Sequence, residues 1–248
     1  EGPLATLVAN GRVNVPGRTM AVDAQGSTAF VLTTSGLSIV PLTPISASER
    51  PVLSANGIVN FASQQPTIGQ GMPISIYGRN LGSDASAANG ANWPPNLGGV
   101  CVTINTTMLP LSLTSATQIN AQLPPDLAPG RYPVVVRNLE LKTSSNAANI
   151  TVAKYAPAVL VDAATKQASI YHDDGSLVTR DNPAQRDDRL HLFALGLGPV
   201  KGPRLVAGQP TPDSPPGNTD PVKVFFDDPR IKESEMDVEE SYLMPGLV

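Results

Sequence analysis

The chain has 248 residues, enough for one large domain or two small ones. Hydrophobic residues make up 41% and charged residues 15%, with 21 glycines, 25 prolines and a net charge of −4; this disfavours a helical bundle or a disordered chain, and no Lys/Arg run supplies the footprint that a nucleic-acid backbone demands. No apolar stretch approaches the roughly 18 residues needed to span a bilayer, and a single cysteine, Cys101, excludes an internal disulfide or a cysteine-based metal cluster.

The chain opens on Glu1-Gly2-Pro3, without an initiator methionine or a signal peptide, and reads as a processed or excised piece. β-rich runs follow at Arg18 to Ala24, Thr28 to Thr34 and Leu37 to Leu42, separated by Gln25-Gly26-Ser27 and Ser35-Gly36, which are turns of hairpin length. The spacing predicts a β-meander over 1–44. Its order Ala21-Val22-Asp23, Gly26, Ala29-Phe30-Val31 resembles one blade of a β-propeller of the YncE or NHL type, with Asp23 and Gly26 shaping the turn between strands. One blade cannot close a ring. The meander is therefore read either as the last blade of a propeller lying upstream or as strands docked on the next domain.

Pro44 to Pro51 is Ser/Pro-rich and aperiodic, a linker. Strands are then predicted at Gly57 to Ala62, Met72 to Tyr77, Val100 to Ile104, Met108 to Leu113, Gln118 to Leu123, Tyr132 to Arg137 and Asn149 to Ala153, with Ser83 to Leu97 as a loop. Seven short strands divided by turn signals are the pattern of an immunoglobulin-like sandwich, placed at 52–155. A second unit, 156–248, starts at Ala158-Val159-Leu160-Val161 and repeats the first: Ile74 to Gly82 aligns with Leu190 to Gly198, and Val100 to Ile104 with Val222 to Phe226. In both copies an alternating strand enters a glycine corner, where a residue without Cβ takes a positive φ or lets another strand approach closely. The Pro/Gly/Thr-rich stretch Gly202 to Pro221 reads as an ordered loop.

The motifs Leu97-Gly98-Gly99-Val100-Cys101-Val102-Thr103-Ile104-Asn105, Ser115-Ala116-Thr117-Gln118-Ile119-Asn120-Ala121-Gln122-Leu123-Pro124 and Leu127-Ala128-Pro129-Gly130-Arg131-Tyr132-Pro133-Val134-Val135-Val136 occur in order. Together with Asp174 to Val178, Asn182 to Ala184 and Gly196 to Val200, this run resembles the uncharacterised C-terminal domain of large secreted proteins of soil bacteria, over roughly residues 52–248. Each half is also similar to IPT/TIG immunoglobulin-like domains. The resemblance implies architecture and an extracellular setting, and no catalytic residue. The sequence departs from that pattern after Leu243 to Val248, where a Gln-x-Asn strand and a Gly-x-Tyr-x-Val-x-Val strand normally follow. An incomplete second sandwich would leave Val222 to Phe226 or a neighbour with an open edge. One of three compensations is expected: strands from a second chain, cover from the Gly202 to Pro221 loop, or a C-terminal continuation, the preferred one.

The chemistry-bearing residues are few. Cys101 alternates with Val100 and Val102 and reads as a buried apolar side chain. Of the two histidines, His191 lies between Leu190 and Leu192 and is expected to face solvent, while His172 precedes Asp173-Asp174-Gly175-Ser176, a hairpin-turn composition. The alternative is a metal site of His172, Asp173 and Asp174, which adjacent strand residues pointing to opposite faces oppose. The pairs Asp187-Asp188, Asp227-Asp228 and Glu239-Glu240 lack calcium-loop spacing and read as solvated turns. No Gly-x-Ser-x-Gly elbow exists, and Gly196-x-Gly198 lacks the third glycine that phosphate binding requires. Trp93, the lone tryptophan, sits in the loop Asn92 to Asn96. It either anchors a glycan or protein partner or folds back over the sandwich edge.

These features predict an all-β chain of tandem immunoglobulin-like sandwiches behind a β-meander. The expected role is a non-catalytic, cofactor-free extracellular module of a larger bacterial protein. Its expected partners are other domains of the same polypeptide and protein or carbohydrate at the cell surface, with no nucleic acid and no membrane span. The alternatives are a glycan-binding accessory domain using Trp93 or a divergent enzyme domain.

Overall fold

The computed structural model describes residues 17–23, 28–33, 36–41, 47–162, 164–215, 217–228 and 231–247. The expectations for the Glu1 start, the Gln25 to Ser27 turn with Gly26, Ser35 and the first part of the Pro44 linker lie outside these residues. The described chain is all-β, with one turn of 3-10 helix at Ala47–Glu49. Among the described residues no helix is long and apolar enough to cross a membrane. Contacts gather into two compact units, Glu1–Ile58 with Ser75–Ala121 and Arg131–Ile150, and Val59–Ile74 with Gln122–Gly130 and Thr151–Val248.

The predicted meander is present as β1 (Gly17–Val22), β2 (Thr28–Thr33) and β3 (Gly36–Pro41), antiparallel in the order β1-β2-β3. Asp23 closes the first turn as expected: its Oδ1 accepts the Thr28 N–H at 3.1 Å and its own N–H donates to the Thr28 carbonyl at 2.9 Å. Thr28, Ala29, Thr33 and Val40 are buried. A Cβ added to Gly36 would sit 3.2 Å from Thr103 Cγ2, so the start of β3 lies directly over that residue.

The remaining strands of the first stretch are β4 (Val52–Asn60), β5 (Ile68–Gly69), β6 (Pro73–Arg79), β7 (Ser86–Ala87), β8 (Val100–Ile104), β9 (Thr107–Met108), β10 (Leu111–Thr114), β11 (Gln118–Gln122), β12 (Gly130–Asn138), β13 (Thr143–Ser144) and β14 (Ala148–Ala153). One sheet has the order β4-β6-β11-β10-β7; the other runs β5-β14-β12-β8-β9, with β13 beside β12. The alternation that predicts them is visible in burial: Ile119 and Ala121 of β11 are buried while their neighbours are partly exposed, and Ile150 and Val152 of β14 are buried between exposed residues. Ile74, Ile76, Val102, Val134 and Val136 are fully excluded from solvent, each worth about 1.5–3 kcal/mol of burial.

Three strand expectations are corrected. Gly57 to Ala62 is the end of a longer strand, because Asn60 stops it: its side-chain Oδ1 accepts the N–H groups of Ala62 at 2.9 Å and Ser63 at 3.2 Å, turning the chain before Ala62. Met108 to Leu113 is not one strand. Met108 ends β9 beside β8, and Leu111 begins β10 beside β11. Pro110 between them has no N–H to give a ladder, while Leu109 donates to Val102 O at 2.9 Å and Leu111 to Pro94 O at 2.8 Å, so the chain changes sheets at that point. Within the Ser83 to Leu97 loop, β7 pairs with β10.

β8 is buried at all five positions. Val100, Val102 and Ile104 form one face; Cys101 and Thr103 form the other, registered against Arg137 and Val135 of β12. Arg137 is itself buried and donates from Nη1 to Thr103 Oγ1 at 2.7 Å.

Beyond Ala156 the architecture thins to β15 (Ala158–Val159), β16 (Ile170–His172), β17 (Leu190–Leu192), β18 (Ala194–Leu195), β19 (Val224–Asp228) and β20 (Ile231–Met236), paired as β15-β18, β16-β17 and β19-β20. Gly208 and Gly217 are the buried residues among those described after Ala156. At the aligned corners, Asn80 and Gly196 both have positive φ, 55° and 71°, whereas Gly198 has φ 96° and its aligned Gly82 lies outside the positive-φ region. Yet Ile74 and Ile76 lie inside one continuous strand, whereas the aligned Leu190 and Leu192 sit in a three-residue strand with Leu192 37% exposed. The Gly202 to Pro221 stretch is ordered by backbone hydrogen bonds. Lys201 and Asn218 exchange two at 2.7 and 2.9 Å, Leu243 donates to Gly217 O at 2.8 Å and Thr211 to Leu247 O at 2.8 Å.

Candidate functional site

The two histidines and their acidic neighbours meet on the β16–β17 ribbon, where Tyr171 faces His191 and His172 faces Leu190. They do not converge on one point. His172 Nδ1 lies 3.6 Å from Asp188 Oδ2 and its Nε2 lies 3.3 Å from the Asn182 carbonyl, while His191 Nε2 lies 3.0 Å from Asp173 Oδ1. Asp174 turns to the backbone instead: its Oδ1 accepts the Ser176 N–H at 2.8 Å, and hydrogen bonds from Ser176 hold its carboxyl below the usual range. The three residues of the metal alternative thus take three separate partners, as expected for strand neighbours with opposite directions. Among the described residues no group of three or more His, Cys, Asp or Glu could hold a metal ion.

Cys101 is buried and its thiol is pushed up by desolvation, with the Arg137 guanidinium pulling the other way. A thiol so placed resists forming the thiolate that reactivity needs. Trp93 is half-buried. The loop around it is tied at both flanks, by Leu111 N–H to Pro94 O at 2.8 Å and Ala88 N–H to Ser112 O at 2.9 Å.

Sequence reasoning missed a cluster at the exit of β14. Asp220 accepts the Tyr155 hydroxyl at 2.5 Å, Lys154 Nζ at 3.1 Å and Lys201 Nζ at 2.9 Å. These donors, the phenol foremost, hold its carboxyl far below the usual range. Lys154 Nζ also lies 4.7 Å from the Tyr155 ring centroid, within cation–π reach. The ring rests on the glycine corner: a Cβ on Gly198 would come within 2.4 Å of its edge, and one on Gly196 within 2.1 Å of Ala156 O. The corner is structural, as the motif implied. Its glycines were the available clue, but nothing in the chain text marks Asp220 as the partner of Lys154-Tyr155. Beside the ring opens a hollow of about 410 Å³ lined by Pro66, Thr67, Ile68, Ala153, Tyr155 and Pro157 among others.

No family model matches the chain, and no curated protein matches it. Among solved structures it is similar to the gamma-CGTase from alkalophilic Bacillus clarkii at 19% identity and a TM-score of 0.31, over 63% of this chain and 20% of that one. The match spans about a fifth of that enzyme's length; at this degree of likeness it bears on neither fold nor activity.

Proposed function

We propose that the chain is a non-catalytic interaction and spacing module of a larger secreted or surface protein, built as IPT/TIG-like immunoglobulin sandwiches over 52–155 and 156–248 behind a blade-like meander. Two sheets with alternating burial support the first sandwich, and the positive φ shared by Asn80 and Gly196 supports its kinship with the second half. The observation that carries the functional reading is the exposure of Val159, Leu192 and Phe225, between 37% and 50% accessible, one on each of three short two-stranded ribbons. Apolar side chains left open on thin ribbons are what a module covers with neighbouring domains or partners. The polar groups that could do chemistry are engaged in shaping loops: Asp23, Asn60, Asp162 and Asp174 all accept backbone N–H groups.

The expected result of a broad hydrolase panel is silence; turnover abolished by one polar substitution overturns the reading. A second reading, glycan binding through Trp93, draws on the tied loop that holds the half-buried indole. A glycan array with wild type and Trp93→Ala decides it: specific binding lost in the variant establishes the glycan role, and silence in both leaves the spacer.

A further inference from the structure

We infer that the hollow beside Tyr155 is a binding site for a small amphiphilic carboxylate, an apolar body of modest size ending in an anion. The cavity of about 410 Å³ lies within the range of small-ligand sites, which are mostly apolar with a few placed polar groups. Its concavity has a local cause. Ala153 and Ala156 are small, and they lie between larger walls formed by Pro66, Ile68, Tyr155 and Pro157. Ala156 is held in place, its N–H donating to Gly196 O at 2.9 Å and its carbonyl accepting Asn60 Nδ2 at 3.4 Å.

Tyr155 is the wall prepared for a ligand. It is 45% exposed although three contacts hold it. Gly198 presses on one side, the hydroxyl is bound by Asp220, and Lys154 Nζ sits over the ring. A side chain already immobilised loses little entropy when a ligand stacks on it. The charge beside Tyr155 sets the ligand's polar end: at the hydroxyl of this lining residue two ammonium groups, Lys154 and Lys201, share the single carboxylate of Asp220. One positive charge is left over, and Lys154 and Lys201 are 49% and 73% exposed at the side chain. The site goes beyond the module reading above and stands whether or not that reading holds.

The test is amide-shift titration of the isotope-labelled full chain with sodium decanoate, decan-1-ol and maltose. The expected result is saturable decanoate binding that moves the amides of Thr67, Ala153 and Tyr155. Decanol should bind at least about tenfold more weakly, as for the loss of one charge-assisted contact. Ala153→Leu, at an exposed position of β14, fills the hollow and abolishes the shifts; Lys154→Met with Lys201→Met weakens decanoate about tenfold and leaves decanol unchanged. The lysine pair keeps the test intact if the leucine variant fails to fold. Equal binding of decanol and decanoate, shifts from maltose at these residues, or decanoate shifts confined to the Val159, Leu192 and Phe225 ribbons each overturn the assignment.

Discussion

Gly196→Ala probes the corner on which the second half turns. Two costs are separable. The residue has φ 71°, a conformation that costs an L-residue with a Cβ about 1–2 kcal/mol. The added Cβ would also lie 2.1 Å from Ala156 O, a backbone atom that cannot rotate away. Relief requires the chains to part, which breaks the 2.9 Å bond from Ala156 N–H to Gly196 O, worth about 0.5–1.5 kcal/mol. The total is about 2–3 kcal/mol. Gly175→Ala isolates the first cost, since Gly175 has φ 82° and nothing within 4 Å of a Cβ. Urea unfolding of both variants should place the midpoint of Gly196→Ala lower than that of Gly175→Ala by roughly 0.5 M, at a typical slope near 2 kcal/mol per M. Hydrogen exchange at the Ala156 amide should accelerate in the first variant alone. Equal midpoints, or an unchanged Ala156 amide, refute the close-approach account.

Ile76→Ala empties a fully buried position and should cost about 2–5 kcal/mol, whereas Leu192→Ala, at the aligned position, should stay within about 0.5 kcal/mol; thermal unfolding of the pair measures the difference between the halves. Asn60→Ala leaves the amides of Ala62 and Ser63 without their side-chain acceptor and should lower stability by about 1–3 kcal/mol, read by the same melts. Asp220→Asn removes a carboxylate whose folded pKa is depressed, so its contribution is complete above the unfolded carboxylate range near about 4 and is lost as pH falls toward the folded value. Melts of wild type and variant should therefore differ at pH 7 and converge in acid; a gap that widens on acidification counts against a stabilising role for the bonds from Tyr155, Lys154 and Lys201 to Asp220.

Local structure was legible where it depends on neighbours in sequence. The meander, the Asp23 turn, the Asp174 turn and six of the strand centres follow from period-two alternation and from residues that cap their own backbone. The sheet change at Leu109-Pro110 was hidden because Met108 to Leu113 keeps its apolar character across the crossing. Only the missing N–H of Pro110 hints that two ladders meet there. Asn60 was missed for a similar reason: a polar residue inside an apolar run looks like strand alternation until its side chain is seen bonding forward to Ala62 and Ser63. The candidate site was the least legible part. Lys154-Tyr155, Gly196-x-Gly198 and Asp220 lie far apart in the chain, and charge pairing over such separations leaves no periodic mark.

Periodicity states which residues share a face and says nothing of what lies against that face. Cys101 and Thr103 show the point: both lie on the face of β8 opposite Val100, Val102 and Ile104, and the burial expected of Cys101 is found and extends to Thr103, because Gly36 of the meander lies on Thr103 and the Arg137 side chain lies beside both. Leu190-His191-Leu192 shows the converse. It carries the same alternation as Ile74-Ser75-Ile76 and leads into the same positive-φ corner, yet β6 has strand neighbours on both sides while β17 has β16 alone. Neighbouring strands satisfy the backbone of β6 on both edges, but its side chains are buried only by what packs on its face, and the ribbon of β16 and β17 leaves Leu192 open. The difference in exposure between Ile76 and Leu192 lies in what packs against each strand, which the residues of one strand do not encode.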